Sequence, residues 1–312
     1  MNKRETLLNL INGEDPPDYI PAAFFLHFDP ANHRGQAAID KHLEFFRYTG
    51  MDFVKIQYEQ TLSPSPRIRK TEDWFLAPLV PEGFFRPTVQ VVEGLVKAAQ
   101  AEALVIVTLY SPFMWARQFA GGVDLGDHIR EYPAAVKKGL EIMTENVLNL
   151  VRGCKRAGVD GFYASSQGGE AFRFQDTDFF RKYIKPTDLA VWEEIRSCTF
   201  NVLHICDYEG GYDDLEPFLD YPGHVVNCSL KLGARNLTPT EVSQMFGRPY
   251  MGGLERKDAI AVGGPEEIRE AAERVLAAAP ERFILAADCT VPGDTPWDNL
   301  KTAIETAHRY RS

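Results

Sequence analysis

His204 and Cys206 define the chemistry to look for. They stand two residues apart in the apolar run Phe200–Cys206, and side chains two apart on a β-strand point the same way. An imidazole and a thiolate presented together make half of a zinc site, because Zn²⁺ accepts nitrogen at about 2.0–2.1 Å and sulfur at about 2.3 Å. Cys289 and Cys228, each just past or at the end of another apolar run, are the candidates to complete it. Asp288 could add a carboxylate ligand, and Asp207 could orient the histidine from behind. His27, Lys55, Gln57 and Gln167 fall at the ends of other runs, where they could meet a substrate, and Arg256 could hold a sulfonate or carboxylate. A single cysteine at a strand end is ordinarily a small buried apolar group. The case therefore rests on several such residues facing one opening.

Short β-rich runs alternating with amphipathic helices would place them there. The strands are expected at Ile20–Phe28, Asp52–Gln57, Ala103–Leu109, Gly161–Ala164, Asn201–Ile205, Val225–Cys228, Pro249–Gly252 and Arg282–Ala286. Several are continuous apolar runs, as parallel strands covered on both faces require. Val136, Leu140, Met143, Val147, Leu150 and Cys154 recur on one helical face, with Gly158 where such a helix would stop. Pro265 opens another helix, and Thr238-Pro239-Thr240-Glu241 reads as a capping box. Eight strands alternating with helices predict a single-domain α/β fold, a (β/α)8 TIM barrel over residues 1–312 with a helical extension at about 1–17. A doubly wound sheet would carry a glycine-rich phosphate loop after its first strand, and Asp29–Gln36 has none. Chemistry in a barrel belongs at the C-terminal strand ends, where His204, Cys206, Cys228 and Cys289 all fall. The Ser165–Glu170 loop and Gly121-Gly122 are expected to form flexible parts of that rim.

Composition bounds the function. The chain has 312 residues, 45% hydrophobic and 25% charged, enough for a full core. Lys+Arg 34 against Asp+Glu 44 leaves a net charge of −10, which argues against nucleic acid as a partner. The longest apolar run, Ala103–Leu109, is far below the roughly 20 residues of a membrane span. Five cysteines are too few for a disulfide scaffold. With no apolar stretch for a signal sequence near the start, the protein is expected to be cytoplasmic, with its thiols reduced.

Nearly end to end, the chain resembles the uroporphyrinogen decarboxylase superfamily. The likeness is carried by the opening KRETLLNLINGEDPPDYIP, by Ala157–Gly161 and Phe200–Cys206, by Met251–Leu254 and Gly264–Ile268, and most specifically by Arg282–Pro296. The fold this implies is again the (β/α)8 barrel. True decarboxylases carry an arginine-rich signature after the first strand that grips the substrate's carboxylates. Phe24–Pro30 stands in its place here, with only Arg34 nearby.

The histidine-x-cysteine pair with a distal cysteine is instead similar to the corrinoid-dependent methyltransferases, including methylcobamide:coenzyme M methyltransferases. That resemblance makes His204, Cys206 and Cys289 the zinc ligands. It leaves Asp288, Cys228 and Asp207 as further ligands or supporting groups, and His27, Gln57, Gln167 and Arg256 as substrate contacts. The implied activity moves a methyl group between a corrinoid (cobalamin), carried by a small partner protein, and a thiol or pterin. A metal-free carboxy-lyase is the alternative, and a homodimer is the assembly that decarboxylase relatives imply.

Overall fold

The computed structural model describes residues 2–14, 18–65, 68–121, 123–173 and 177–310. Seven parallel strands form one curled sheet: β1 (Phe53–Lys55), β2 (Leu104–Tyr110), β3 (Gly161–Ser166), β4 (Val202–Ile205), β5 (Val225–Cys228), β6 (Tyr250–Leu254) and β7 (Phe283–Ala287). They pair in chain order, from Phe53 opposite Leu104 through to Leu254 opposite Ala287. A two-stranded antiparallel hairpin, Lys231–Leu232 with Arg235–Asn236, follows β5.

The expected eighth strand, Ile20–Phe28, is a correction. It is extended chain between the two ends of the sheet, carrying only isolated bridges from Ala22 to Leu285 and from Leu26 to Val291. On one side the Ala23 amide donates to the Leu285 carbonyl, at 3.0 Å, and on the other the Asp52 amide donates to the Ala22 carbonyl, at 3.0 Å. Side chains explain why no regular ladder forms. The Asp52 carboxylate takes the Ala22 amide at 2.7 Å, and the Gln57 side chain takes the Leu26 amide at 3.2 Å. Pro21 has no amide to give.

The helices follow their sequence signals. In the Pro133–Arg156 helix the whole predicted stripe from Val136 to Cys154 is buried against the sheet, and Gly158 takes the left-handed backbone (φ 85°) one residue past the Ala157 cap. At Pro239–Phe246 the capping box forms in both directions: the Glu241 amide reaches Thr238 Oγ1 at 3.1 Å, and the Thr238 amide reaches the Glu241 carboxylate at 2.7 Å. The N-terminal helix is Lys3–Asn12, shorter than the expected extension at about 1–17. Gly13 ends it, and residues 1 and 15–17 of that extension lie outside the described ones. No helix among the described residues is long and apolar enough to cross a membrane.

The interior of the curled sheet is partly polar. The Asn227 side chain donates to the Met251 and Ala287 carbonyls, at 2.8 and 3.0 Å, and accepts from the Tyr163 hydroxyl, tying β3, β5, β6 and β7 together. The approach of β3 to the segment entering β4 is close: a Cβ on Gly161 would lie 1.8 Å from the Phe200 carbonyl oxygen. Because that neighbour is backbone, Gly161→Ala is expected to destabilise the protein by about 3 kcal/mol, read from chemical denaturation midpoints. A loss below about 0.5 kcal/mol, the scale of a neutral surface change, would contradict this packing.

Candidate metal centre

His204 is on β4, Cys206 is the first residue beyond it, and Cys289 lies two residues past the end of β7. The curl of the sheet brings these strand ends together although they are distant in sequence. One ligand atom from each of the three lies within 4.8 Å of the others. Cys206 Sγ is 3.9 Å from Cys289 Sγ, which is 3.4 Å from His204 Nε2. All three residues are buried, at 2–5% exposure, so their mutual approach is not diluted by water. Among the described residues this is the one such group of potential metal ligands.

The hydrogen bond from Cys206, with the His204 ring alongside, holds the Cys289 thiol well below the usual thiol range. The same hydrogen bond, together with burial, pushes Cys206 well above it. His204 Nδ1 is buried with no hydrogen-bond partner. A soft pair of sulfurs plus one imidazole nitrogen, converging and dry, is a donor set that fits Zn²⁺ and leaves a fourth position for a ligand.

Around the triangle, the Gln167 amide donates to Cys206 Sγ at 3.3 Å, and the Tyr163 ring stacks on the His204 ring with centroids 4.8 Å apart. Lys55 is buried beneath, its ammonium 4.2 Å from the Phe25 ring centroid and 5.0 Å from that of Tyr163. Burial lowers its pKa to about 8. Above the triangle is an inner cavity of about 90 Å³, whose walls include His27, Glu59, Tyr110, Met114, Arg117 and Tyr208.

The other sequence-predicted residues fall as follows. His27 lines the inner cavity and pairs with Glu59 at 2.9 Å. Gln57 is buried, its side-chain oxygen holding the Leu26 amide. Cys228 is buried outside the triangle, with burial raising its thiol pKa. Asp207 and Asp288 both turn to Arg256, whose guanidinium is 2.7 Å from Asp207 and 3.4 Å from Asp288, while the Arg256 amide donates to Asp288 at 2.9 Å. Burial, then the Asp207 charge, lifts the Asp288 carboxyl to about 6. Asp288 is thus not gathered with His204, Cys206 and Cys289, and Arg256 already has two carboxylates. On the rim, the buried Glu170 ties the Ser165–Glu170 loop by accepting from the Gly168 amide at 2.8 Å and from Arg173 at 3.0 Å. Gly122, the other expected rim residue, lies outside the described ones.

Sequence reasoning missed Tyr163 and Arg117. Tyr163 follows Gly161 by two on β3, so the strand period was its one signal. Arg117 projects from the Pro112–Ala120 helix, where nothing local distinguishes it from a surface arginine.

The sequence pattern of the uroporphyrinogen decarboxylase family matches residues 49–310. A methyltransferase from Methanosarcina mazei superposes with a TM-score of 0.79 at 16% identity, covering 98% of each chain. A B12-independent methionine synthase from a Shewanella species, solved with selenomethionine, superposes with a TM-score of 0.59 at 13% identity, covering 93% of this chain and 97% of that one. At such identities the likeness is one of fold. Among curated protein sequences, none matches.

Proposed function

The chain belongs to the uroporphyrinogen decarboxylase family, and from that premise we propose that it is a zinc-dependent methyltransferase moving a methyl group between a corrinoid and a thiol or pterin. The observation that carries this reading is the buried triangle of His204, Cys206 and Cys289. Those three side chains would hold the metal. When bound, zinc supplies positive charge that lowers the pKa of a coordinated thiol and so makes a nucleophile available at neutral pH.

The protein's own groups prepare the place. Gln167 restrains Cys206, and Tyr163 fixes the plane of the His204 ring. A corrinoid is far larger than the inner cavity and would arrive on a small partner protein. An outer cleft of about 840 Å³ beside Asp207, Arg256 and Asp288, with Phe172 exposed in its wall, supports docking from that side. We read the Pro21–Phe28 segment as the eighth stave that closes the barrel under this site, and the cytoplasm, where thiols stay reduced, as its compartment.

The metal-free carboxy-lyase alternative has no comparable support, since the one arginine lining the inner cavity among the described residues, Arg117, is paired with Glu209 at 2.7 Å. Zinc-loaded protein mixed with methylcob(III)alamin and a short thiol is expected to release methylated thiol, followed through the visible spectrum of the corrinoid. Absence of methyl transfer, with loss of carbon dioxide from uroporphyrinogen instead, would overturn the proposal in favour of the lyase.

A further inference from the structure

The inner cavity also constrains the charge and size of what binds there. Its volume of about 90 Å³ has room for several waters, which suits a compact molecule beside the triangle. Its basic side chains already face carboxylates: Arg117 meets Glu209 through Nη2 at 2.7 Å, with its buried Nε left without a hydrogen-bond partner, and His27 meets Glu59 at 2.9 Å. Lys55 does not line the cavity, and its ammonium lies over the Phe25 and Tyr163 rings. Arg256, bound to Asp207 and Asp288, and the exposed Lys257 line only the outer clefts. The remaining wall combines Tyr110, Tyr163, Tyr208 and Met114 with neutral polar side chains such as Gln118 and Thr290, and adds no ammonium or guanidinium.

A carboxylate, sulfonate or phosphate placed here would face Glu59 and Glu209 and would have to compete with Glu209 for Arg117. Like charges brought together beside these partly buried carboxylates disfavour an anion. Resting on the methyl-transfer reading above, we propose that the acceptor or donor at this site is a short sulfur compound without an anionic group.

The test is calorimetric titration of zinc-loaded protein at neutral pH. The uncharged probes are 2-mercaptoethanol and methyl mercaptoacetate, the cationic probe is cysteamine, and the anionic probes are mercaptoacetate and 3-mercaptopropionate, with each Kd corrected for the thiol's own pKa. The uncharged and cationic thiols are expected to bind about tenfold or more tightly than the anionic ones. Glu209→Gln, which frees Arg117, is expected to bring that ratio close to unity. Equal or tighter binding of the anionic thiols to the wild type overturns the inference and leaves the methyl-transfer reading standing. A ratio unmoved by Glu209→Gln overturns the assignment to the Arg117–Glu209 pairing. If zinc loads but no thiol binds, the reading itself fails and takes the inference with it.

Discussion

Cys289→Ser is expected to strip the protein of zinc and to lower methyl transfer by about three thousandfold. Two effects multiply. A free thiol near pH 7 is only a few per cent thiolate, so losing the metal's charge costs roughly 30-fold. Losing the fixed position of the sulfur costs about another hundredfold, the scale of a misplacement near 1 Å. Little stability should go with it. Serine is nearly isosteric, the contacts it replaces are a 3.9 Å approach to Cys206 Sγ and a 3.4 Å approach to His204 Nε2, and the residue packs in a small cluster with Met114 and Cys206 apart from the main core. Turnover measured with free methylcob(III)alamin, beside thermal unfolding of the metal-free proteins, checks both halves. Near-normal turnover in the variant would remove Cys289 from the machinery.

The second large effect is expected at Arg256. Its guanidinium is about 10% exposed and bridges Asp207 and Asp288, themselves 14% and 9% exposed. Arg256→Met keeps the length of the side chain but leaves two buried carboxylates facing each other, which costs about 3–5 kcal/mol when a buried pair loses one partner. The sign of the pH dependence follows from Asp288. Its folded pKa is raised to about 6 from 3.8, so between these values the native state holds more protons than the unfolded state. Stability therefore falls as pH rises through that window and levels off above it. Removing Arg256 lifts both carboxyls further and extends the fall to higher pH. Urea unfolding should show a large loss in the variant at pH 8 and a much smaller one at pH 4.5, where the carboxyls are protonated. Equal losses at both pH values would mean that Arg256 stabilises by packing alone.

The fold was largely legible because a covered parallel strand leaves a dense signature. Val225–Cys228 runs as expected, and the other six strands of the sheet fall at the expected runs, shifted by at most a few residues. The first run failed because its amides are claimed by Asp52 and Gln57, side chains far along the sequence that no periodicity reveals. The site was half legible. The two-residue spacing of His204 and Cys206 forces them to one side, but only a resemblance could single out Cys289 over Cys228, since the curl that unites strand ends leaves no spacing to read. Charge was the least legible property. Arg256 read as a free anion contact until the fold delivered Asp207 and Asp288 to it, and the pairing of Arg117 with Glu209 depends on how a helix lies over the mouth.

Zinc-edge X-ray absorption on metal-replete protein tests the central claim most directly. One zinc per chain is expected, with two sulfurs at about 2.3 Å and at least one nitrogen at about 2.0–2.1 Å, the sulfur signal halving in Cys206→Ser if that variant retains metal. A protein that takes up no zinc, or binds it through oxygen and nitrogen alone, would contradict the triangle as a metal centre and the methyl-transfer chemistry built on it.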